Sequence, residues 1–229
     1  MTRPPLRAGA CAAFVAFVAF VAFVVLAGLV WHTTRPLSWE RPIITAVRNV
    51  PFPTRDFWIA MFEPVPLVLT TGALVCAAAA RSRGRLAAGG LVGCVLAVAT
   101  AELVVKPVVD RVRALSFGAH HHLVQFGGNM FPSAHVTAAA AWATFAFLIA
   151  GGPSWRRAWM FVLPVIVGVA AISKGMHDPA DVLAGLILGP GVVLAVVHVT
   201  TKPRDLDRGP GAAVDAPFAV LESTSTHAP

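Results

Sequence analysis

"FPSAHVTAAAAWATFAFLIA", residues 131–150, begins with proline, serine and histidine close together and continues as an apolar run of helical length. A bilayer core is crossed by about 20 apolar residues, so the segment reads as a membrane-spanning helix with polar groups at its mouth. Pro132 and Ser133 suit the start of that helix, with Ser133 as its cap. His135 is different, because an ionisable imidazole at the edge of hydrocarbon needs either a partner or a task.

Five further apolar stretches, 11–31, 64–80, 86–105, 157–173 and 179–200, give six expected spans in all. With 57% hydrophobic and 13% charged residues and a mean hydropathy of +0.73, the chain reads as an integral membrane protein. The expected architecture is all-α, a six-helix transmembrane bundle over residues 1–200. Residues 201–229, rich in Pro, Gly, Asp, Ser and Thr and without periodicity, read as a disordered cytoplasmic tail. The repeated "AFV" of the first span is read as a retained anchor rather than a cleaved signal peptide, since its apolar run is long and no small-x-small site follows.

The net charge of +7 does not indicate nucleic acid, because the 18 Lys and Arg are scattered through short loops. An inside N-terminus places a small excess of them on the cytoplasmic side, among them Arg3, Arg7, Arg81, Arg83, Arg156 and Arg157. Cys11, Cys76 and Cys94 lie within spans, form no CxxC pair and read as buried thiols. The segment between the first two spans, residues 32–63, mixes Arg35, Arg41, Arg48 and Arg55 with Trp39, Phe52, Phe57 and Trp58, a composition suited to the headgroup zone.

On this topology three polar clusters share the outer face: "KPVVDRVRA" (106–114), "FPSAH" (131–135) and "SKGMHDPAD" (173–181). Helices packed in one bundle can bring such ends together as a phosphate site. Ser133 and the amides near Ala134, at a helix N-terminus, suit phosphoryl oxygens. Lys106 and Arg113 supply positive charge, the Arg as a two-pronged donor. Asp181 lies one turn beyond His177, where a carboxylate can fix an imidazole tautomer, and His135 is free to protonate a leaving group. Asp178-Pro179-Ala180-Asp181 also reads as an ordinary helix start, in which Asp181 serves the helix dipole.

These residues resemble the type 2 phosphatidic acid phosphatase superfamily, whose three motifs are Lys-x6-Arg-Pro, Pro-Ser-Gly-His and Ser-Arg-x5-His-x3-Asp. The chain matches with Lys106 and Arg113, then Pro132, Ser133 and His135, then His177 and Asp181. The resemblance implies metal-independent hydrolysis of a lipid phosphate or diphosphate, of polyprenyl or phosphatidate type, with no cofactor. In that scheme His177 attacks phosphorus, Asp181 orients it, and His135 protonates the departing oxygen and then activates water. A multi-pass protein of a bacterial plasma membrane, its site on the outer face, is the expected setting.

The departures are specific. Ala114 stands where the first motif has Pro and Ala134 where the second has Gly. The Ser and Arg of the third motif fall on Ala170 and Ala171, so one phosphate cation is missing. Lys174 is the expected replacement, on the same face as Ala171 if the helix continues that far. Glu102, four residues before Lys106, is expected to pair with it, and Asp110 to reach Arg111 or Arg113. The run His120-His121-His122 reads as a cover over the site rather than a metal centre. A non-catalytic lipid-phosphate binder is the rival reading, supported by Ala171, and a transporter ranks below it because no span carries an ionisable residue near its middle.

Overall fold

A computed structural model describes residues 6–80, 84–111, 129–150 and 154–201. The expected tail beyond Thr201, Arg113 and the three adjacent histidines lie outside these residues. Ten α-helices are present among them: α1 (Leu6–Val30), α2 (Glu40–Asn49), α3 (Arg55–Ala60), α4 (Pro64–Ala80), α5 (Gly84–Ala99), α6 (Lys106–Val109), α7 (Ala134–Ile149), α8 (Ser154–Arg157), α9 (Val162–Ser173) and α10 (Pro179–Thr200). No strand accompanies them among the described residues.

Each apolar stretch of the sequence coincides with a helix. Among the described residues, three segments are long and apolar enough to cross a membrane: Gly84–Val109, Trp155–Ser173 and Pro179–Thr200. Phe17–Val30, the later part of α1, and Ala134–Ile149 are shorter apolar stretches. The first of the three long segments joins α5 to α6 through a π-helical turn, Thr100–Val105, immediately before Lys106. Such turns are rare and are frequent at functional positions. Phe17, Phe20, Val95 and Leu103 point outward, as side chains do where the surrounding solvent is lipid rather than water.

At the centre α10 packs on α7, α5 and α1. Its contact with α7 depends on glycine: a Cβ at Gly189 would lie 2.5 Å from the Thr137 carbonyl oxygen, and one at Gly185 would lie 2.9 Å from that of Ser133. Small residues let two backbones approach where no water-driven attraction draws helices together. The alanines of α7 bury themselves in the resulting seam. Away from the polar end of α7 lies an apolar cavity of about 260 Å³, lined by Leu74, Trp142, Ala146, Ile149, Trp159 and Leu163 among others. It lies among apolar side chains, remote from the convergence of charges described below.

Three local expectations change. The segment 32–63 is not simply a loop, because it holds α2 and α3. Helix α2 is strongly amphipathic, burying Ile44 and Glu40 and exposing Arg41 and Arg48. Cys76 is exposed on α4 rather than buried, whereas Cys94 is buried as expected. Finally, α9 stops at Ser173. The amide of Gly175 donates to the Ile172 carbonyl (2.9 Å) and that of Met176 to the Ala171 carbonyl (2.9 Å), with Gly175 at φ +70°. This is the paired closing hydrogen-bond pattern that a left-handed glycine permits, so Lys174 caps the helix rather than extending it.

Candidate active site

The N-termini of α7 and α10 are tied directly, the Ser133 amide donating to the Asp181 carbonyl at 3.0 Å. The end of α6 joins them. Asp110 adopts a left-handed conformation (φ +46°), the chain reverses, and the Met130 amide donates to the Arg111 carbonyl at 2.9 Å. Asn129 also donates to the Lys106 carbonyl (2.9 Å). The three polar clusters therefore meet at one end of the bundle, as the sequence suggests.

His177 sits in the turn between α9 and α10, buried, with Nδ1 3.8 Å from Asp181 Oδ2. That separation is an ion-pair distance, longer than a hydrogen bond, and apo sites commonly tighten on binding. His135, in the first turn of α7, places Nε2 3.8 Å from Glu63 Oε1. His177, Lys106 and Lys174 all lie near enough to act on the His135 imidazole electrostatically. Two imidazoles and two ammonium groups thus lie within electrostatic reach at one end of the bundle, a charge pattern that suits a phosphoryl group.

The supporting contacts are as follows. Lys106 Nζ meets Glu102 Oε1 at 2.5 Å, the expected pair one turn apart. Lys174 Nζ meets Asp56 Oδ1 of α3 at 2.8 Å. Ser133 is the N-cap of α7, accepting from the Val136 amide at 3.5 Å, and is fully buried. Asp178 and Asp181 form the reciprocal capping box of α10, the Asp178 amide donating to Asp181 Oδ2 at 2.8 Å. Asp181 therefore serves the helix start while also standing beside His177. Ala171 is fully buried with Ala170 and Ile59, under Phe52, Trp58 and Met176. Where the third motif has a guanidinium, this chain has an apolar seal formed with α3.

Sequence reasoning missed Arg111, Glu40 and Glu63. Arg111 is 2% exposed and is not paired with Asp110, whose carboxylate instead lies 3.9 Å from His32. Its Nη1 donates to Asp181 Oδ1 (2.6 Å) and its Nη2 to Glu40 Oε2 (2.8 Å) and Asp178 Oδ2 (3.2 Å). Glu40, fully buried, also accepts the Ala180 amide at 2.9 Å. Burial works against the Arg111 charge, but Asp181, Glu40 and Asp178 more than offset it and raise the guanidinium pKa above its ordinary value. Burial and the neighbouring Asp181 charge push Asp178 up to about 6, against the pull of Arg111. A buried acid that is distant in sequence leaves no local periodic signal. The one hint was Glu40 at the start of an amphipathic stretch.

A family model of the PAP2 superfamily matches residues 9–205. Among solved structures, the chain is similar to one described as the first transmembrane PAP2-type phosphatidylglycerolphosphate phosphatase from Bacillus subtilis, with a TM-score of 0.65 and 22% identity over 80% of this chain and 94% of that one. At that identity the likeness supports the fold. No curated protein matches. Because the family match extends over nearly all the apolar helices and all three polar clusters, the chain belongs to the PAP2 superfamily.

Proposed function

We propose that the protein is a membrane phosphatase that hydrolyses a lipid phosphate or diphosphate through a phosphohistidine on His177, without a metal. Family membership supports phosphatase chemistry in general. The observation that carries the finer reading is the pairing of a buried His177 with Asp181 beside an imidazole and two cations, His135, Lys106 and Lys174.

In this mechanism Asp181 accepts from His177 Nδ1–H, which leaves the Nε2 lone pair to attack phosphorus. The bond from phosphorus to the lipid oxygen breaks, and protonated His135 delivers its proton to that oxygen. Water then attacks the phosphohistidine, the now neutral His135 takes its proton, and phosphate leaves with the P–N electron pair returned to His177. Lys106 and Lys174 neutralise the phosphoryl oxygens as charge builds, with Arg113, Ser133 and the Ala134 amide as further phosphate contacts. Polyprenyl diphosphates and phosphatidate-type lipids, including phosphatidylglycerophosphate, are the substrate classes to examine, with the site on the outer face of a bacterial plasma membrane.

A second reading has one observation in its favour. The surroundings of Ala171 are buried and apolar where the third motif has a cation, which suits a protein that binds lipid phosphate without turnover. Phosphate release from a lipid phosphate and diphosphate panel in detergent with excess EDTA, beside His177→Asn, separates the two. Release that survives EDTA and disappears in the variant supports the phosphatase. Binding without release supports the second reading, and release that persists in His177→Asn removes the nucleophile assignment.

A further inference from the structure

The Arg111 cluster is costly for a purely structural tie. One guanidinium, 2% exposed, faces three carboxylates, two of them fully buried. Desolvating such charges commonly outweighs their attraction, and apolar residues of similar volume often hold helices together equally well. What the cluster achieves is directional. Arg111 Nη1 takes Asp181 Oδ1, so that Oδ2 is left to the Asp178 amide and to His177 Nδ1, 3.8 Å away. Glu40, from α2 and outside all three motifs, fixes Arg111 through both of its nitrogens (3.4 and 2.8 Å) and fixes the first turn of α10 through the Ala180 amide (2.9 Å). A planar guanidinium fork can hold several carboxylates at once in fixed directions, as a single ammonium cannot.

We infer that Arg111 and Glu40 are positioning residues for the His177–Asp181 pair, coupling the amphipathic helix α2 to the attacking imidazole. The inference rests on the phosphatase reading above. Arg111 keeps Asp181 turned, and Glu40 keeps Arg111 in the pose that does so. Asp181 is faced by Arg111 from the chain after α6, by Glu40 from α2, and by Asp178 and His177 from the turn before α10.

The test uses the full-length protein in detergent, with kcat and KM measured for Arg111→Lys and Glu40→Gln beside His177→Asn. A misplacement of about 1 Å costs on the order of 10²-fold in rate, so both variants are expected to lose kcat on that scale with KM changed less than about threefold. The split between the two constants is the deciding readout, because a misplaced imidazole slows turnover while leaving lipid binding nearly intact. KM rising in step with the loss of kcat, or no loss in folded variants, overturns the inference while leaving the phosphatase intact. Activity retained by His177→Asn overturns the phosphatase reading instead. Glu40→Gln is isosteric and keeps an acceptor for the Ala180 amide, so it decides the matter if Arg111→Lys does not fold. A Glu40→Gln protein that melts before assay makes the pair structural and overturns its positioning role.

Discussion

Two imidazoles at this end of the bundle each have a carboxylate oxygen at 3.8 Å, yet their surroundings differ in kind. Asp181, beside His177, is fully buried and fixed by Arg111 and a backbone amide. Glu63, beside His135, has a side chain 35% exposed and stands at the start of α4, just before Pro64. The spacing alone would make the two pairs look equivalent. Under the proposed mechanism the difference in burial suits different work: a nucleophile must present one nitrogen in one direction, while a group that gives and retakes a proton each cycle benefits from a carboxylate that water can reach.

The most severe way to break the comparison is Asp181→Asn. If the rigid pair sets the tautomer of the attacking imidazole, an amide in that place should lower kcat on the order of 10³-fold or more, with phosphate release from the preferred lipid as the measurement. A loss no larger than that of Glu63→Gln would erase the distinction between the pairs.

Gly185→Ala tests the spacing between the two imidazoles rather than either one. The new methyl would lie 2.9 Å from the Ser133 carbonyl oxygen and 3.0 Å from the Thr137 amide nitrogen, both backbone atoms, so α7 must move away from α10. Overpacking of this kind costs about 1–3 kcal/mol, and displacement of His135 from His177 should lower kcat by roughly 10- to 100-fold. Thermal unfolding and steady-state rates measure the two effects separately. Normal turnover in a destabilised variant would mean that the imidazoles act independently.

Lys174→Ala probes the cation expected in place of the missing arginine. Its partner Asp56 is largely exposed while Lys174 itself is partly buried, and it acts on His135. A lost charged contact of about 1.5 kcal/mol should raise KM roughly tenfold. Unchanged KM and kcat would leave the anion to Lys106 and the residues after Arg111. Glu63→Gln should be milder still, lowering kcat about two- to fivefold, since exposed ion pairs contribute at most about 1 kcal/mol.

How far the site could be read from sequence follows from where its signals lie. Lys106, Ser133, His135, His177 and Asp181 stand at helix ends marked by proline, serine and a change from apolar to polar composition, and the structure brings those ends together. Helix position was equally readable, because apolar runs of this length have few alternatives in lipid. Arg111 was not readable. Its neighbours Asp110 and Arg113 made it look like one charge in an exposed loop, and only the left-handed turn at Asp110 sends it inward. Glu40 pairs across 71 residues, a contact set by tertiary packing alone. The apolar stretch that ends at 173 ends where α9 does, and Lys174 follows as its C-cap, still in helical geometry, before Gly175 closes the turn.

The smallest expected effect concerns whether the rigid side is rigid at every pH. Asp178 has its pKa raised by burial from the ordinary 3.8 to about 6. A raised pKa means that its contribution to stability is complete below about 3.8 and is lost as pH rises through about 6. The wild-type protein should therefore lose stability relative to Asp178→Asn between pH 5 and pH 7, because the neutral amide still caps α10 and still accepts from Arg111. Thermal unfolding of both proteins at the two pH values gives the difference directly. A constant gap would mean that Asp178 stays ionised throughout, with Arg111 offsetting its burial. In that case the tie from Arg111 to the first turn of α10 would not loosen as pH changes, while the Glu63 side chain stays open to solvent.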